Sequence, residues 1–171
     1  MDDIREILNR LLKKECSIEE AEKLLKATTI EEVGEFAKLD LFRKHRTGIL
    51  EVIYAENKTP KVMLEIIRSF IEKNKFAIIS RYTEEQKTLI LTEFENVNEF
   101  EVISHELAKI IILKEKRFQF EKKGGIVGII TAGSSDIPVA EEAKVIAESM
   151  GCRVISSYDL GIAGIHRIFN P

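Results

Sequence analysis

The chain has 171 residues, 44% hydrophobic and 32% charged, with 9 Gly and 3 Pro. That length suits one ordinary domain or two small ones, and the composition excludes a disordered, collagen-like or low-complexity chain. With 26 basic and 29 acidic residues the formal net charge is -3, so there is no global positive field to attract a nucleic-acid backbone, and nucleic acid is not an expected partner.

In chain order, Asp2 to Glu15 carries Ile4, Ile7, Leu8, Leu11 and Leu12 on one stripe at helical spacing, which predicts an amphipathic helix. Ser17 followed by Glu20 is a capping box, in which hydroxyl and carboxylate each satisfy an orphaned backbone N–H, so a second helix is predicted to about Lys26. Thr29 with Glu32 repeats the signal and predicts a short third helix through Phe36, weakened by Gly34. From Ala37 to Ala55 two extended segments around a turn are expected, with the basic knot Arg43-Lys44-His45-Arg46 between them. Thr59-Pro60 is a helix start, a capping hydroxyl followed by a proline whose missing N–H costs nothing there, and Met63, Leu64, Ile66, Ile67, Phe70 and Ile71 give the helix a buried face.

Phe76 to Ser80 reads as a short strand and Thr83 with Gln86 as another capping box. Thr88 to Thr92 fits either a continuation of that helix or a strand, and Ile110 to Leu113 fits a buried strand, with Ser104 to Lys109 open to a helical reading. Glu121-Lys122-Lys123-Gly124-Gly125 is the sharpest compositional break, and a domain boundary is expected there: an N-terminal α+β domain over residues 1–123 and a second domain over 124–171. The second begins as a βαβ unit, with strand Ile126 to Thr131, helix from about Ile137 to Met150, a stop at Gly151, and strand Arg153 to Ser157. The longest apolar runs fall far short of the roughly 20 residues a bilayer needs, and Met1 leads into Asp2, Asp3 and Arg5. A cytoplasmic protein without membrane association is therefore expected. Cys16 and Cys152 lack a metal-type spacing and read as reduced packing or surface thiols. His105, with no second ligand at metal spacing, reads as a packing or surface residue.

Chemistry concentrates in two loops. Ala132-Gly133-Ser134-Ser135-Asp136 runs from a strand directly into a helix, offering backbone N–H groups, small hydroxyls and the positive end of a helix dipole to an anion. Asp159, Gly161, Gly164, His166 and Arg167 follow the second strand on the same sheet edge, where ligands of open parallel sheets bind. A purely structural role, with Ser135 or Asp136 capping the helix and the glycines turning the chain, is the favoured reading of the first loop by itself, and the second loop shifts the balance toward a ligand. Arg43, Arg46 and Lys58 could reach phosphates, the forked guanidinium suiting bidentate contact, or could pair with carboxylates such as Glu51 and Glu35.

Gly128 to Ala143 and Tyr158 to Arg167, together with Leu39-Asp40, Arg43, Arg46-Thr47-Gly48, Glu51-Val52-Ile53 and Lys58-Thr59-Pro60, resemble the LarB family of nickel-pincer cofactor biosynthesis. Two differences from PurE proper are the N-terminal domain and the second loop, Gly161-Ile-Ala-Gly-Ile-His-Arg167 rather than S-A-H-R. Leu50 stands where the LarB family often has proline. The resemblance implies an α/β protein: a small α+β domain followed by the start of a flavodoxin-like, PurE-like parallel domain. It further implies carboxylation of the pyridinium ring of nicotinic acid adenine dinucleotide by CO2 or bicarbonate, with release of AMP and formation of pyridinium-3,5-biscarboxylic acid mononucleotide. On that resemblance Gly133, Ser134, Ser135, Asp136, Asp159, Gly161, Gly164, Arg43, Arg46 and Lys58 would bind the substrate and its phosphates. His166 and Arg167 would handle the carboxylate. No tightly bound cofactor and no protein metal cage are expected, Mg2+ entering only with phosphate groups, and the full-length protein is expected to be a homo-oligomer.

The family's covalent nucleophile is a cysteine in the C-terminal part of the PurE-like domain, and neither Cys16 nor Cys152 matches its position. An incomplete, inactive portion of such an enzyme is therefore the expectation. A noncatalytic nucleotide-binding or interaction module and an aminoimidazole ribonucleotide carboxylase or mutase are the alternatives.

Overall fold

The computed structural model describes residues 4–28, 30–33, 37–40, 49–122 and 124–161. The chain divides into two compact units, Met1–Glu51 and Val52–Pro171.

In the first unit α1 (Ile4–Leu12) and α2 (Ile18–Thr28) pack together, burying Ile7 and Ala21. The Ser17–Glu20 capping box forms in both directions: Glu20 N–H donates to Ser17 Oγ at 3.1 Å and Ser17 N–H to Glu20 Oε2 at 3.0 Å. The short helix predicted from Thr29 is instead a strand. β1 (Ile30–Val33) pairs antiparallel with β2 (Ala37–Asp40), Ile30 opposite Asp40 and Val33 opposite Ala37. A four-residue stretch with β-branched ends gains a ladder from a neighbouring strand, whereas a lone helical turn recovers almost no hydrogen bonds for the backbone it orders.

Among the described residues the second unit holds two sheets. The larger has the order β3-β4-β6-β5, formed by β3 (Ile53–Tyr54), β4 (Phe76–Ser80), β5 (Phe100–His105) and β6 (Ile110–Glu115). β3 runs parallel to β4 while the other pairs are antiparallel. The two extended segments expected between Ala37 and Ala55 thus exist as β2 and β3 but pair with different strands, β1 and β4. The turn expected between them lies outside the described residues.

Helix α3 (Pro60–Asn74) begins as its sequence predicts, with Thr59 accepting the Val62 N–H and proline in the first turn. It buries Met63, Leu64, Ile66, Ile67, Phe70 and Ile71, the side chains that cover β4, every residue of which is buried. Helix α4 (Glu84–Phe94) starts at the Thr83–Gln86 capping box and resolves the ambiguity at Thr88 to Thr92 as helix. Gln86 does more than cap: it is fully buried, and its amide donates to the carbonyls of Ala55 (3.0 Å) and Lys58 (2.7 Å) while its Oε1 accepts the Thr83 N–H (2.8 Å). One side chain therefore fastens the turn before α3 to the start of α4. The segment from Ser104 to Lys109 is strand end and turn rather than helix, because Ser104 and His105 complete the β5–β6 ladder opposite Ile111 and Ile110.

After the charged, glycine-containing hinge a second sheet begins within the same unit. β7 (Ile126–Ile130) and β8 (Arg153–Ser157) pair in parallel across α5 (Ile137–Ser149), which packs on both. The chain is thus an α/β protein, with a βαβ unit where its sequence predicts one. Ile126, Ile130 and Ile155 stand exposed on this sheet.

Candidate functional site

The loops that follow β7 and β8 leave the same edge of a parallel sheet, and their backbones are bound together. Thr131, buried, donates its N–H to Ser157 O at 3.2 Å and accepts the Leu160 N–H on its carbonyl at 3.0 Å. Its hydroxyl oxygen accepts the Asp159 N–H at 3.0 Å, and Ala132 O accepts the Gly161 N–H at 2.7 Å. The first loop is therefore clasped to the second at four points. The clasp needs unusual backbone: Asp159 takes φ +55° and Gly161 φ +73°, the left-handed region that aspartate tolerates and glycine occupies at little cost.

Beyond Ala132 the chain forms a single 3-10 turn, Ser134–Asp136, and passes directly into α5 with Pro138 in its first turn. The side chains of Ser134, Ser135 and Asp136 are exposed. Neither Gly133, ahead of the 3-10 turn, nor Asp136, ahead of α5, makes a side-chain capping bond, in contrast to the hydroxyl caps of Ser17, Thr59 and Thr83. Side-chain capping by Asp136, one part of the structural alternative for this loop, is absent. Gly133 is extended (φ −121°, ψ 159°), so its backbone would suit any residue; a Cβ there would lie 3.6 Å from Ser135 Oγ and 3.7 Å from Asp136 Oδ2. Both polar groups fold back over the glycine, and a bare Cα leaves that space open.

A second brace joins β8's exit to α5. The Tyr158 hydroxyl donates to Glu141 Oε1, and Lys144 Nζ lies 3.3 Å from the same oxygen. The Tyr158 hydrogen bond, aided by Lys144, holds the Glu141 carboxyl below its ordinary pKa of 4.5.

Of the residues singled out by sequence, Gly133, Ser134, Ser135, Asp136, Asp159 and Gly161 share this clasped edge. Lys58 belongs to the turn before α3, where its ammonium donates to Tyr54 O at 2.7 Å and its carbonyl accepts from Gln86. Arg43, Arg46, Gly164, His166 and Arg167 lie outside the described residues. Cys152 precedes β8, at the opposite end of the strands from the loops, roughly 16 Å away for a five-residue strand. Among the described residues no group of three or more His, Cys, Asp and Glu is placed to hold a metal ion, and no helix is long and apolar enough to cross a membrane.

Sequence reasoning passed over Thr131 as the last residue of a strand. The available signal was its hydroxyl: a threonine where strand pairing ends can bond across to the neighbouring loop. Glu141 and Tyr158 lie 17 residues apart, and nothing in the pattern of either segment announces their contact.

A βαβ unit with an uncapped strand-to-helix turn, clasped to its neighbour at the carboxyl edge, defines an α/β protein whose paired loops lie where open parallel sheets carry their ligands. The family is fixed by comparison: residues 30–116 match the model of the LarB/PurE-like N-terminal domain, and the chain belongs to that family. It is also 39% identical over 167 residues to an uncharacterized protein of Methanocaldococcus jannaschii, an alignment covering 98% of this chain and 65% of that protein. The chain thus spans about two thirds of the length of this relative.

Proposed function

We propose that the protein acts in nickel-pincer cofactor biosynthesis, in the carboxylation of the pyridinium ring of nicotinic acid adenine dinucleotide with cleavage of its phosphoanhydride to release AMP. The observation that carries this reading is the uncapped Ser134–Asp136 turn held against the second loop through Thr131. A phosphate of the nucleotide meets the Ser134 and Ser135 hydroxyls at the positive end of α5, and Asp136 lies beside the ribose. A pyridinium carbon is electrophilic, so a nucleophile first adds to the ring; the electron-rich ring carbon then attacks CO2, and loss of that carbon's proton with expulsion of the nucleophile restores the pyridinium. The carboxylate that develops then needs N–H donors and cations close by; His166 and Arg167 are the residues proposed for that task. Membership of the LarB/PurE-like family supports the same reading.

Calorimetric titration tests it. Nicotinic acid adenine dinucleotide is expected to bind, aminoimidazole ribonucleotide to bind more weakly, and Ser135→Ala with Asp136→Ala to weaken the dinucleotide. Tighter binding of aminoimidazole ribonucleotide would replace the proposal with a purine-pathway carboxylase.

A further inference from the structure

Tyr158 is held from two directions. On the backbone, the Ser157 carbonyl before it accepts the Thr131 N–H at 3.2 Å, and the Asp159 N–H after it donates to Thr131 Oγ1 at 3.0 Å. On the side chain, its hydroxyl donates to Glu141 Oε1. The first restraint comes from the end of β7, the second from α5. Tyr158 leads into the left-handed turn at Asp159, φ +55°, and the Glu141 bond fixes how the chain enters it.

Glu141 is five residues beyond Asp136, the residue that leads into α5, which is about 7.5 Å along the axis at 1.5 Å per residue. One rigid element thus carries the Ser134–Asp136 turn at its start and, about a turn and a half on, the anchor of the other loop. The anchor suits the task. The Glu141 side chain is 19% exposed, so water competes little for it, and a hydroxyl-to-carboxylate bond is roughly twice as strong as one between neutral groups. The Tyr158 bond is the first cause of the lowered Glu141 pKa; Lys144, at 3.3 Å, and the charge of His105 at the end of β5 act in the same direction against partial burial. The carboxyl is therefore an ionised acceptor at neutral pH. Apolar contact between α5 and β8 holds them together without direction, whereas a hydrogen bond also fixes the course of the chain after Ser157. A ligand that spans both loops gains from this, because loops already in place need not be ordered when it binds.

We propose that Glu141 is a positioning residue for the ligand of the two loops, holding the Asp159–Gly161 segment in its binding conformation through Tyr158; that this ligand is a pyridine dinucleotide rests on the reading given under Proposed function. Amide exchange in the ligand-free chain and titration with nicotinic acid adenine dinucleotide test it together. Glu141→Ala and Tyr158→Phe are each expected to quicken exchange at Leu160 and Gly161, whose N–H groups donate to Thr131 O and Ala132 O, and to lower dinucleotide affinity about three- to tenfold, the equivalent of one hydrogen bond. The double variant is expected to bind no more weakly than either single one, since all three lose the same bond, and Glu141→Gln, which keeps an acceptor oxygen, to recover most of the affinity. Unchanged exchange at Leu160 and Gly161, affinity untouched by the single variants, losses that add in the double variant, or no recovery in Glu141→Gln would overturn the assignment. Faster exchange in both single variants, with no dinucleotide binding by the wild-type chain, would instead remove the pyridine reading and leave Glu141 as the residue that sets the loop.

Discussion

Thr131 Oγ1 accepts the backbone N–H of Asp159 at 3.0 Å, and through this bond the end of one strand sets the path of the loop leaving the next. Thr131→Val keeps the shape and removes the acceptor. It leaves the Asp159 N–H, held at φ +55°, without this partner, and a hydrogen bond of this kind contributes about 0.5–1.5 kcal/mol. Chemical denaturation should register a loss in that range, and dinucleotide affinity should fall with it. Unchanged affinity in a folded variant would mean that the clasp does not shape the site.

Gln86 is the corresponding fastener within the larger sheet. Gln86→Ala removes the amide donor to the Lys58 carbonyl, one of two donors to the Ala55 carbonyl (the Lys58 N–H is the other) and the acceptor of the Thr83 N–H, and a loss of about 2–4 kcal/mol is expected from a buried network deprived of its centre. Urea denaturation checks this, with a conservative Gln86→Glu variant expected to retain the capping acceptor but not the two amide donations.

The Glu141 carboxyl supplies a pH dependence of known sign. Its pKa in the folded protein lies below the ordinary 4.5, chiefly because Tyr158 donates to it. The unfolded chain therefore takes up the proton first, and the stabilisation is present above about pH 4.5 and lost as pH falls through the lower folded value. Thermal melts from pH 7 to pH 3 should show Tyr158→Phe less stable at neutral pH, by about 1 kcal/mol, with the gap closing on acidification. A constant gap would refute this origin.

Ile126, Ile130 and Ile155 are exposed on a two-stranded parallel sheet, a kind of sheet that is ordinarily covered on both faces. Sedimentation of the chain should reveal self-association that Ile130→Thr with Ile155→Thr reduces. A monomer at all concentrations would contradict it.

Helix starts were the most legible features, because Ser17–Glu20, Thr59-Pro60 and Thr83–Gln86 each encode a hydrogen bond between residues three apart, with no need of the rest of the fold. The βαβ unit was legible for a similar reason: glycine, small polar residues and apolar runs mark its borders within about 30 residues. Thr29–Glu32 carries the same local signal as Ser17–Glu20, yet Ile30 to Val33 is strand, since the outcome is decided by pairing with Ala37 to Asp40. The candidate loops could be found from residue types. Their clasp could not, because the Thr131–Asp159 and Tyr158–Glu141 contacts depend on the parallel register of β7 and β8.

The central claim, that the two clasped loops hold a pyridine nucleotide, is tested most directly by backbone amide chemical shifts during titration of the chain with nicotinic acid adenine dinucleotide. The account predicts saturable shifts at Gly133, Ser134, Ser135 and Asp136 together with Asp159 and Gly161, at one common affinity. Saturable binding that leaves these six amides unmoved would contradict it.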